Sequence, residues 1–303
     1  MNGQDTTMSL VHLFRQIRPA VNISNTRILK TGVTQKAVFG LSAIRHPYFA
    51  YQIHPVAVHW VHDSNMGSNG LSTDGVDRHP TKIFFFDIDN CLYPKSAKVH
   101  DRMADLIDKY FAEHLSLSWD EAVRLHKEYY QNYGLAIEGL VRHHQIDPLE
   151  YNSKVDDALP LEGIIKPNPQ LRKMLEDIDR SKVKLWLFTN AYVNHARRVV
   201  RLLEIEDLFD GITYCDYAAQ PLVCKPHEDA FANAMRDAGV ENVDDCYFVD
   251  DNYQNCRKAN EIGWHTAHLV EEGVKVPRTP ASKHQIRSLE ELRNVFPDVF
   301  KKP

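Results

Sequence analysis

Hydrophobic and polar positions along the chain form two kinds of segment. Short apolar runs rich in aromatic or β-branched residues are typical of buried strands, and longer stretches with apolar residues three and four positions apart are typical of helices. Strands are predicted at 82–89, 184–190, 211–216, 246–251 and 265–270. Helices are predicted at 192–204, 227–238 and 253–262. This alternation predicts an α/β fold with a largely parallel sheet.

The region between the first two strands, about 96–165, has a helical pattern. Apolar residues with one-face spacing open it, namely Val99, Met103, Leu106, Ile107, Tyr110 and Phe111. Ser118 and Glu121 have the spacing of a capping box and predict the start of a second helix, which Gly134 is placed to end. We therefore expect an insertion of several helices between two strands of the sheet.

The N-terminal region differs from the rest of the chain. Up to residue 50, Asp5 is the only acidic residue against six Lys and Arg residues, which is typical of an organellar transit peptide. A disordered extension with no address is the alternative. Residues 62–80, rich in Gly, Ser, Asn and Asp, predict a flexible linker. The predicted domains are an N-terminal extension at 1–80, an α/β core at 81–95 and 166–303, and a helical insertion at 96–165.

Composition limits the class of protein. Of the 303 residues, 43% are hydrophobic and 25% are charged, which is typical of a soluble globular protein. The net charge of -5 gives no reason to expect nucleic acid or an anionic membrane as a partner. No apolar run approaches the roughly 20 residues of a membrane helix. The oligomeric state is left open.

Five cysteines without a CxxC pair predict reduced thiols in an intracellular protein. A cytoplasmic location is the prediction that follows. The nucleus, or the mitochondrion through an address in residues 1–50, is the alternative.

Polar side chains follow three of the predicted strands where each strand ends. They are Asp87 and Asp89, Thr189 and Asn190, and Asp250 and Asp251. The carboxyl ends of parallel strands lie at one edge of a sheet, where open α/β sheets bind their ligands. We therefore expect these side chains to share one crevice, to which Lys225 could add a positive charge.

Four carboxylates in one crevice would repel each other strongly without a cation between them. A hard divalent ion resolves this conflict, and oxygen-only ligands suit Mg²⁺. An Asp at the end of one strand is commonly only a turn or cap residue, so each element alone is weak evidence. The ordered set predicts a Mg²⁺ site formed by Asp87, Asp89, Asp250 and Asp251.

The four segments that carry these residues resemble, in order, the four motifs of the haloacid dehalogenase-like hydrolase superfamily. The segments are DIDNC at 87–91, LFTN at 187–190, CKP at 224–226 and FVDDN at 248–252. The resemblance covers residues 82 to about 270, and it implies a Rossmann-like parallel sheet (HAD-like) with an inserted helical cap. Dehalogenases proper lack the second aspartate of the first motif, so Asp89 points to phosphoryl transfer.

The resemblance also implies catalytic roles for three residues. Asp87 would be the nucleophile, and its attack on a phosphate monoester would give an aspartyl-phosphate. Asp89 would be the general acid/base, protonating the leaving alkoxide and later taking a proton from water. Lys225 would balance the negative charge of the nucleophile and the transferring phosphate.

The remaining motif residues would bind phosphate and metal. Thr189 and Asn190 would donate hydrogen bonds to the phosphoryl group. Asp250 and Asp251 would complete the Mg²⁺ shell, together with the backbone carbonyl of Asp89. Because the fourth motif here reads Val-Asp-Asp rather than Gly-Asp, which of its two aspartates binds the metal directly is left open.

Two longer segments, 129–167 and 186–217, resemble the fungal pyrimidine 5′-nucleotidase branch of the superfamily. That resemblance implies hydrolysis of nucleoside 5′-monophosphates such as UMP and CMP to nucleoside and phosphate. The branch also contains relatives that act on other monoesters, so a phosphatase of lysophosphatidic acid or of another small phosphomonoester is an alternative. A non-catalytic phospho-ligand-binding regulator and a phosphomutase are alternatives of other classes.

Residues outside the motifs give weaker indications of the substrate. Tyr129, Tyr130 and Tyr133 could offer faces for base stacking, and Asn132 and Arg142 could contact base or ribose edges. Of these, Tyr133 and Arg142 are the candidate substrate-binding residues. Aromatic residues at helical spacing are more often core, which leaves the stacking role open. His195 follows the second motif on a predicted helix; we interpret it as a surface residue, and an approach to the site is the alternative.

Overall fold

The structure, a computed structural model, describes residues 82–302. Six strands in this part of the chain form one sheet in which every neighbouring pair is parallel. The strands are β1 (Lys82–Phe86), β2 (Val183–Phe188), β3 (Gly211–Thr213), β4 (Cys246–Asp250), β5 (His265–Leu269) and β6 (His284–Ile286). Their order across the sheet is β3-β2-β1-β4-β5-β6, which confirms the predicted α/β, Rossmann-like fold.

The central strand β1 is buried on both faces of the sheet. Successive side chains of a strand point to opposite faces. Phe84 and Phe86 therefore pack in one apolar cluster, and Ile83 and Phe85 pack in another on the opposite side. Each fully buried aromatic side chain contributes about 1.5–3 kcal/mol relative to an exposed one. The aromatic run thus fixes the strand that carries the first motif in the middle of the sheet.

Helices cover the sheet and form the insertion after β1. Four of them lie between β1 and β2, namely α1 (Val99–His114), α2 (Trp119–Tyr133), α3 (Ala136–His143) and α4 (Pro148–Lys154). Those that follow within residues 82–302 are α5 (Pro169–Glu176), α6 (Val193–Leu202), α7 (Glu228–Ala238), α8 (Tyr253–Glu261) and α9 (Leu292–Val295).

The helix α2 begins and ends as the sequence predicts. Ser118 and Glu121 form the capping box, and Gly134 follows the helix with a φ of 81°. The helices α1 to α4 enclose an apolar cluster that is separate from the two clusters on the sheet. The boundaries of the predicted cap, 96–165, stay a prediction.

Several predicted strands are longer than the strands in the structure. The strand β1 ends at Phe86, whereas the prediction extended it to residue 89. The strand β3 ends at Thr213, whereas the prediction extended it to residue 216. The strand at 265–270 was predicted to be the last, which is wrong because β6 pairs with it. The three residues of β6 include His284 and Gln285, so they lack the apolar run on which the prediction depended.

The predictions for residues 1–80, the transit peptide, the extension and the linker, lie outside the described residues. Within residues 82–302, no helix combines the length and the apolar character that crossing a membrane would require.

Candidate active site

A cavity of about 430 Å³ opens at the carboxyl ends of β1, β2 and β4. Because β1 pairs with β2 on one side and with β4 on the other, three strand ends lie together where the order of strands along the chain reverses. The cavity is lined by all the motif residues predicted to share a crevice, namely Asp87, Asp89, Thr189, Asn190, Lys225, Asp250 and Asp251.

Lys225 lies buried between two of these carboxylates. Its Nζ donates to Oδ1 of Asp87, to Oδ2 of Asp250 and to the carbonyl oxygen of Phe188, each at 2.7 Å. An ammonium group has three hydrogens, so all three are satisfied. The predicted positive charge beside Asp87 is therefore a fully hydrogen-bonded ammonium with only 1% of its residue surface exposed.

The charges of this group depend on one another. Burial alone would lower the pKa of Lys225, but the Asp250 and Asp87 carboxylates raise it above its ordinary value, so the ammonium stays protonated. Burial raises the pKa of Asp87 well above its usual range; Lys225 opposes this effect, and Asp250 and Asp251 add to it. Asp87 therefore needs nearby positive charge in order to be an ionised nucleophile.

Three carboxylates in the cavity are close enough to share a metal ion. Asp87, Asp250 and Asp251 each offer a carboxylate oxygen, and these oxygens lie within 4.8 Å of one another. Burial, followed by the neighbouring Asp250, raises the pKa of Asp251 to about 7. Oxygen ligands crowded in this way fit a hard divalent cation such as Mg²⁺, and both aspartates of the fourth motif contribute to the group.

The two aspartates of the fourth motif have different surroundings. The Oδ1 of Asp250 accepts from the backbone N–H of Asn252 at 2.7 Å, and Oδ2 accepts from Nδ2 of Asn255 at 3.0 Å. Oδ2 of Asp251 lies 2.8 Å from Nζ of Lys95, which follows the first motif. No sequence pattern predicted the contact of Lys95, because a lysine in a loop is usually a solvated side chain.

Asp89 lies in the same cavity, but its carboxylate is not one of the three grouped carboxylates. Its Oδ1 accepts from the Tyr93 hydroxyl at 2.6 Å and lies 2.7 Å from Nε2 of His195. Burial would raise the pKa of Asp89, but His195 and Tyr93 together lower it below its usual value. The predicted contact of Asp89 with Mg²⁺ through its backbone carbonyl stays a prediction.

The interpretation of His195 as a surface residue is wrong. The residue is only 1% exposed, and burial, which would lower the pKa of its imidazole, is outweighed by Asp89, which raises it. A signal was present in the sequence, since His195 stands four positions before Val199, one of the buried apolar residues of α6. Residues with that spacing lie on the same face of a helix.

Thr189 and Asn190 arrange the loop that carries the lysine. The Oγ1 of Thr189 accepts from the backbone N–H of Ala191 at 3.0 Å. The side chain of Asn190 donates to the carbonyl oxygen of Lys225 at 2.8 Å and accepts from its backbone N–H at 2.7 Å. The second motif thus fixes the backbone of the third motif, a role of the Asn190 side chain that the sequence did not predict.

The structure does not bring the two predicted substrate-binding residues of the insertion into this cavity. Neither Tyr133 nor Arg142 is among the residues that line it. The guanidinium of Arg142 pairs with Glu138 and lies 5.2 Å from the centre of the Tyr133 ring. Tyr130 does line the cavity, and its hydroxyl accepts from Nδ2 of Asn252 at 3.1 Å.

The helices α1 and α2 supply a mixed wall of the cavity. Met103 and Ile107 provide apolar surface, and His126 provides a polar group. Nδ1 of His126 lies 2.8 Å from Oδ1 of Asp108, which is buried and fixes the orientation of the ring. The insertion therefore faces the grouped carboxylates with both apolar and hydrogen-bonding groups.

Comparisons with known proteins agree with this geometry. The family described as haloacid dehalogenase-like hydrolase matches residues 81–263. The chain therefore belongs to the haloacid dehalogenase-like hydrolase family.

Individual relatives support the family at different levels. Phosphate metabolism protein 8 of Saccharomyces cerevisiae is 45% identical over 200 residues, which cover 63% of this chain and 62% of the yeast protein. This chain thus spans less than two thirds of that curated relative. The solved structure of a hydrolase from Pseudomonas syringae is 20% identical, covers 73% of this chain and 100% of its own, and superimposes with a TM-score of 0.53. That likeness supports the fold alone.

Proposed function

We propose that the chain is a Mg²⁺-dependent phosphomonoesterase that hydrolyses nucleoside 5′-monophosphates, pyrimidine nucleotides such as UMP and CMP in particular. One observation carries the proposal. Asp87, Asp250 and Asp251 present carboxylate oxygens within 4.8 Å of one another, and Lys225 lies 2.7 Å from the first two of these residues. Such a site combines a nucleophile with the positive charge that a dianionic phosphate ester requires.

The metal would be held by Asp87, Asp250 and Asp251, with the Asp89 carbonyl as a further ligand. Bound there, Mg²⁺ would supply positive charge that screens the nucleophile from the phosphate oxygens. Lys225 supplies positive charge to the same carboxylates from the protein side.

Asp87 is the proposed nucleophile. One of its oxygens attacks phosphorus, the bond from phosphorus to the leaving oxygen breaks, and an aspartyl-phosphate forms. Water then attacks this intermediate, releases inorganic phosphate and restores the carboxylate. Because Lys225 is held by Asp250 and the Phe188 carbonyl as well, it stays in place while the charge on Asp87 changes.

Asp89 is the proposed general acid/base. Its carboxylate is not one of the three carboxylates grouped for the metal, but it lines the same cavity. The leaving oxygen of the substrate would lie in that cavity. It would give a proton to the leaving alkoxide in the first step and take one from water in the second. Proton transfer of this kind contributes typically about 10²–10⁴-fold to the rate.

The phosphoryl group would be held by the second motif. The Thr189 hydroxyl accepts from a backbone N–H, so its own hydrogen is available to a phosphate oxygen. The Asn190 side chain is occupied by the Lys225 backbone, which leaves the backbone N–H of Asn190 as the donor proposed for phosphate.

The nucleoside would occupy the part of the cavity beside the insertion. A volume of about 430 Å³ lies in the usual range for small-molecule sites. Tyr130 offers an aromatic face there and His126 a hydrogen-bonding group. Binding of the base by Tyr133 and Arg142 stays a prediction that this cavity does not support.

Lysophosphatidic acid is a second candidate substrate. The same cavity also has apolar surface, which Met103, Ile107 and Leu135 provide. Apolar surface suits an acyl chain better than it suits a nucleoside. The phosphoryl chemistry would be identical, so only the leaving group separates the two proposals.

Phosphate release from a panel of UMP, CMP, AMP, lysophosphatidic acid and sugar phosphates, with and without Mg²⁺, tests the proposal. We expect UMP and CMP to have the highest kcat/KM, with no release after EDTA treatment. Rapid turnover of lysophosphatidic acid without nucleotide turnover would favour the second candidate. Binding of a phosphate ester by the wild type without phosphate release would indicate a regulator. Transfer of the phosphate to a second hydroxyl would indicate a phosphomutase.

The variant Asp87→Asn separates catalysis from folding in the same assay. It is nearly isosteric, so we expect a folded protein that releases no phosphate. Equal rates for this variant and the wild type would exclude Asp87 as the nucleophile.

A further inference from the structure

The proposed general acid/base is held by a buried histidine from another part of the chain. His195 of α6 lies 106 positions after Asp89 in the chain, and its Nε2 lies 2.7 Å from Oδ1 of Asp89. The Tyr93 hydroxyl donates to the same oxygen at 2.6 Å. One oxygen of Asp89 is thus fixed by two groups, which leaves Oδ2 to face the cavity.

Chemistry assigns the direction of the contact with His195. Oδ1 of Asp89 already accepts from the Tyr93 hydroxyl, and the proton that Asp89 delivers as an acid would be carried on Oδ2, so Nε2 of His195 is the donor to Oδ1. Hydrogen bonds to a charged group are shorter and stronger than those between neutral groups, so two of them on one oxygen hold the side chain in one rotamer. The side chain of Asp89 is 28% exposed, so without such bonds it would exchange among rotamers in solvent.

A second acidic residue, Asp156, acts on the imidazole through its charge. Nδ1 of His195 and Oδ2 of Asp156 are both buried, and neither has a hydrogen-bond partner within residues 82–302. Asp156 is only 2% exposed and attracts His195 electrostatically. It lies between α4 and α5, near the end of the insertion, and it also lines the cavity. Asp89 is therefore the hydrogen-bonded acidic partner of the imidazole.

We infer that His195 is a positioning residue for the proposed reaction: it holds Asp89 in the rotamer that reaches the leaving oxygen. The inference rests on the proposed function, because it concerns the proton that Asp89 delivers. If the side chain of Asp89 turned out of the cavity, Asp87 could still attack phosphorus. Loss of His195 therefore affects the departure of the leaving group more than the binding of phosphate.

This inference predicts a dependence on the leaving group. An alkoxide such as the 5′-oxygen of uridine needs a proton as it departs, whereas p-nitrophenolate departs at neutral pH without one. We expect His195→Ala to lower kcat/KM for UMP on the order of 10²-fold and kcat/KM for p-nitrophenyl phosphate only a few-fold, because kcat/KM does not include the later hydrolysis of the aspartyl-phosphate, in which Asp89 acts as base for both substrates. His195→Gln keeps an N–H donor near the position of Nε2, so it should recover part of the UMP rate.

Two further variants separate positioning from folding. Val199→Ala also opens a buried space in α6, one turn after His195, but the valine side chain has no group that could hydrogen-bond Asp89. It should lower the melting temperature and lower both rates equally. Tyr93→Phe removes the second donor to Asp89 without leaving a cavity, and it should repeat the selective loss on UMP. If His195→Ala does not fold, His195→Gln and Tyr93→Phe still test the inference.

A double-mutant comparison completes the experiment. In an Asp89→Asn background, His195→Ala should cause no further selective loss, because His195 acts through the Asp89 carboxylate. Equal losses on UMP and p-nitrophenyl phosphate in the single variants, or an undiminished selective loss in the double variant, would overturn the inference. Absence of phosphate release by the wild type would instead overturn the proposed function.

Discussion

Nζ of Lys225 lies 2.7 Å from Oδ1 of Asp87, although 138 positions separate the two residues in the chain. The pair is buried, and the same ammonium also binds Asp250. Removing one partner of a buried ion pair leaves uncompensated charge, which costs about 3–5 kcal/mol. Lys225 therefore stabilises the fold as well as the proposed nucleophile.

The variant Lys225→Met keeps the length of the side chain and removes its charge. We expect the free energy of unfolding, measured by urea denaturation in EDTA, to fall by about 3–5 kcal/mol, with phosphate release lost. Added Mg²⁺ should recover part of this stability, since it would neutralise the same carboxylates. Lys82→Met is the matched control: Lys82 pairs with the exposed Asp298 at 2.8 Å, so its loss should cost about 1 kcal/mol or less. Similar losses for both variants would contradict the role given to burial.

Gly134 connects the end of α2 to the lysine loop. A Cβ at this position would lie 2.9 Å from the carbonyl oxygen of Lys225 and 2.9 Å from Cδ of Pro226. Gly134 also has a φ of 81°, which L-residues rarely adopt. We expect Gly134→Ala to lower the free energy of unfolding by more than the roughly 1–2 kcal/mol of backbone strain alone, and to lower kcat.

Gly239 provides the control for this prediction. It ends α7 with a φ of 72°, but a Cβ there would meet nothing within 4 Å. Gly239→Ala should therefore show the backbone strain without the clash and leave kcat unchanged. Gly134→Ala and Gly239→Ala could instead lose the same stability and keep the same kcat. That result would show that the close approach of Gly134 to the Lys225 loop has no functional effect.

Asp156 predicts a pH-dependent stability. Burial is the main reason that the pKa of Asp156 is raised from 3.8 to about 6; His195 and Tyr217 oppose the shift, and Asp89 and Asp157 add to it. Because the folded state holds this proton more tightly, stability is highest below pH 3.8 and falls as the pH rises through 6. The expected loss is about 2–3 kcal/mol between pH 4 and pH 7.

The variant Asp156→Asn carries no such proton. The free energy of unfolding of the variant, minus that of the wild type, should therefore increase by about 2–3 kcal/mol between pH 4 and pH 7, which means that the variant gains stability relative to the wild type. Urea denaturation at each pH measures this difference. Asp157→Asn, at the exposed neighbouring position, is the control and should follow the wild type. A constant difference between Asp156→Asn and the wild type at all pH values would contradict this prediction.

Asp251 predicts a change in metal affinity. It contributes one of the three grouped carboxylates, so Asp251→Asn should raise the Mg²⁺ concentration for half-maximal phosphate release by roughly 10-fold or more while the fold is retained. Asp244→Asn, on an exposed turn before β4, should leave that concentration unchanged. The same Mg²⁺ dependence in both variants would show that Asp251 is not a ligand.

The sequence was sufficient for the arrangement of the site and insufficient for its contacts. The run that ends at Phe86 and the run that ends at Asp250 each predict a buried strand closed by carboxylates, and parallel pairing brings the two ends together. Strand pairing follows from local pattern because both strands are apolar on both faces. The contact of His195 with Asp89 depends instead on how α6 is rotated against the sheet, a tertiary property.

The substrate-binding predictions illustrate the same limit. Tyr130 and Tyr133 are similar in sequence, yet the first lines the cavity and the second lies beside Arg142. Three positions on a helix leave two side chains about 60° apart around the axis, so both lie toward the same side and their spacing does not decide which one reaches the cavity. Which of them faces the carboxylates depends on the packing of α2, and no feature of the sequence around residues 130–133 encodes that packing alone.

The order of the strands has a consequence for the chain during its synthesis. Asp87 leaves the ribosome early, but Lys225 and Asp250 follow only after β2 and β3 have been made. A nascent chain that ends before α7 lacks the counter-charge on which the ionisation of Asp87 depends. On the proposed mechanism, unfinished chains cannot consume cellular phosphate esters, and hydrolysis begins only once β4 has joined β1.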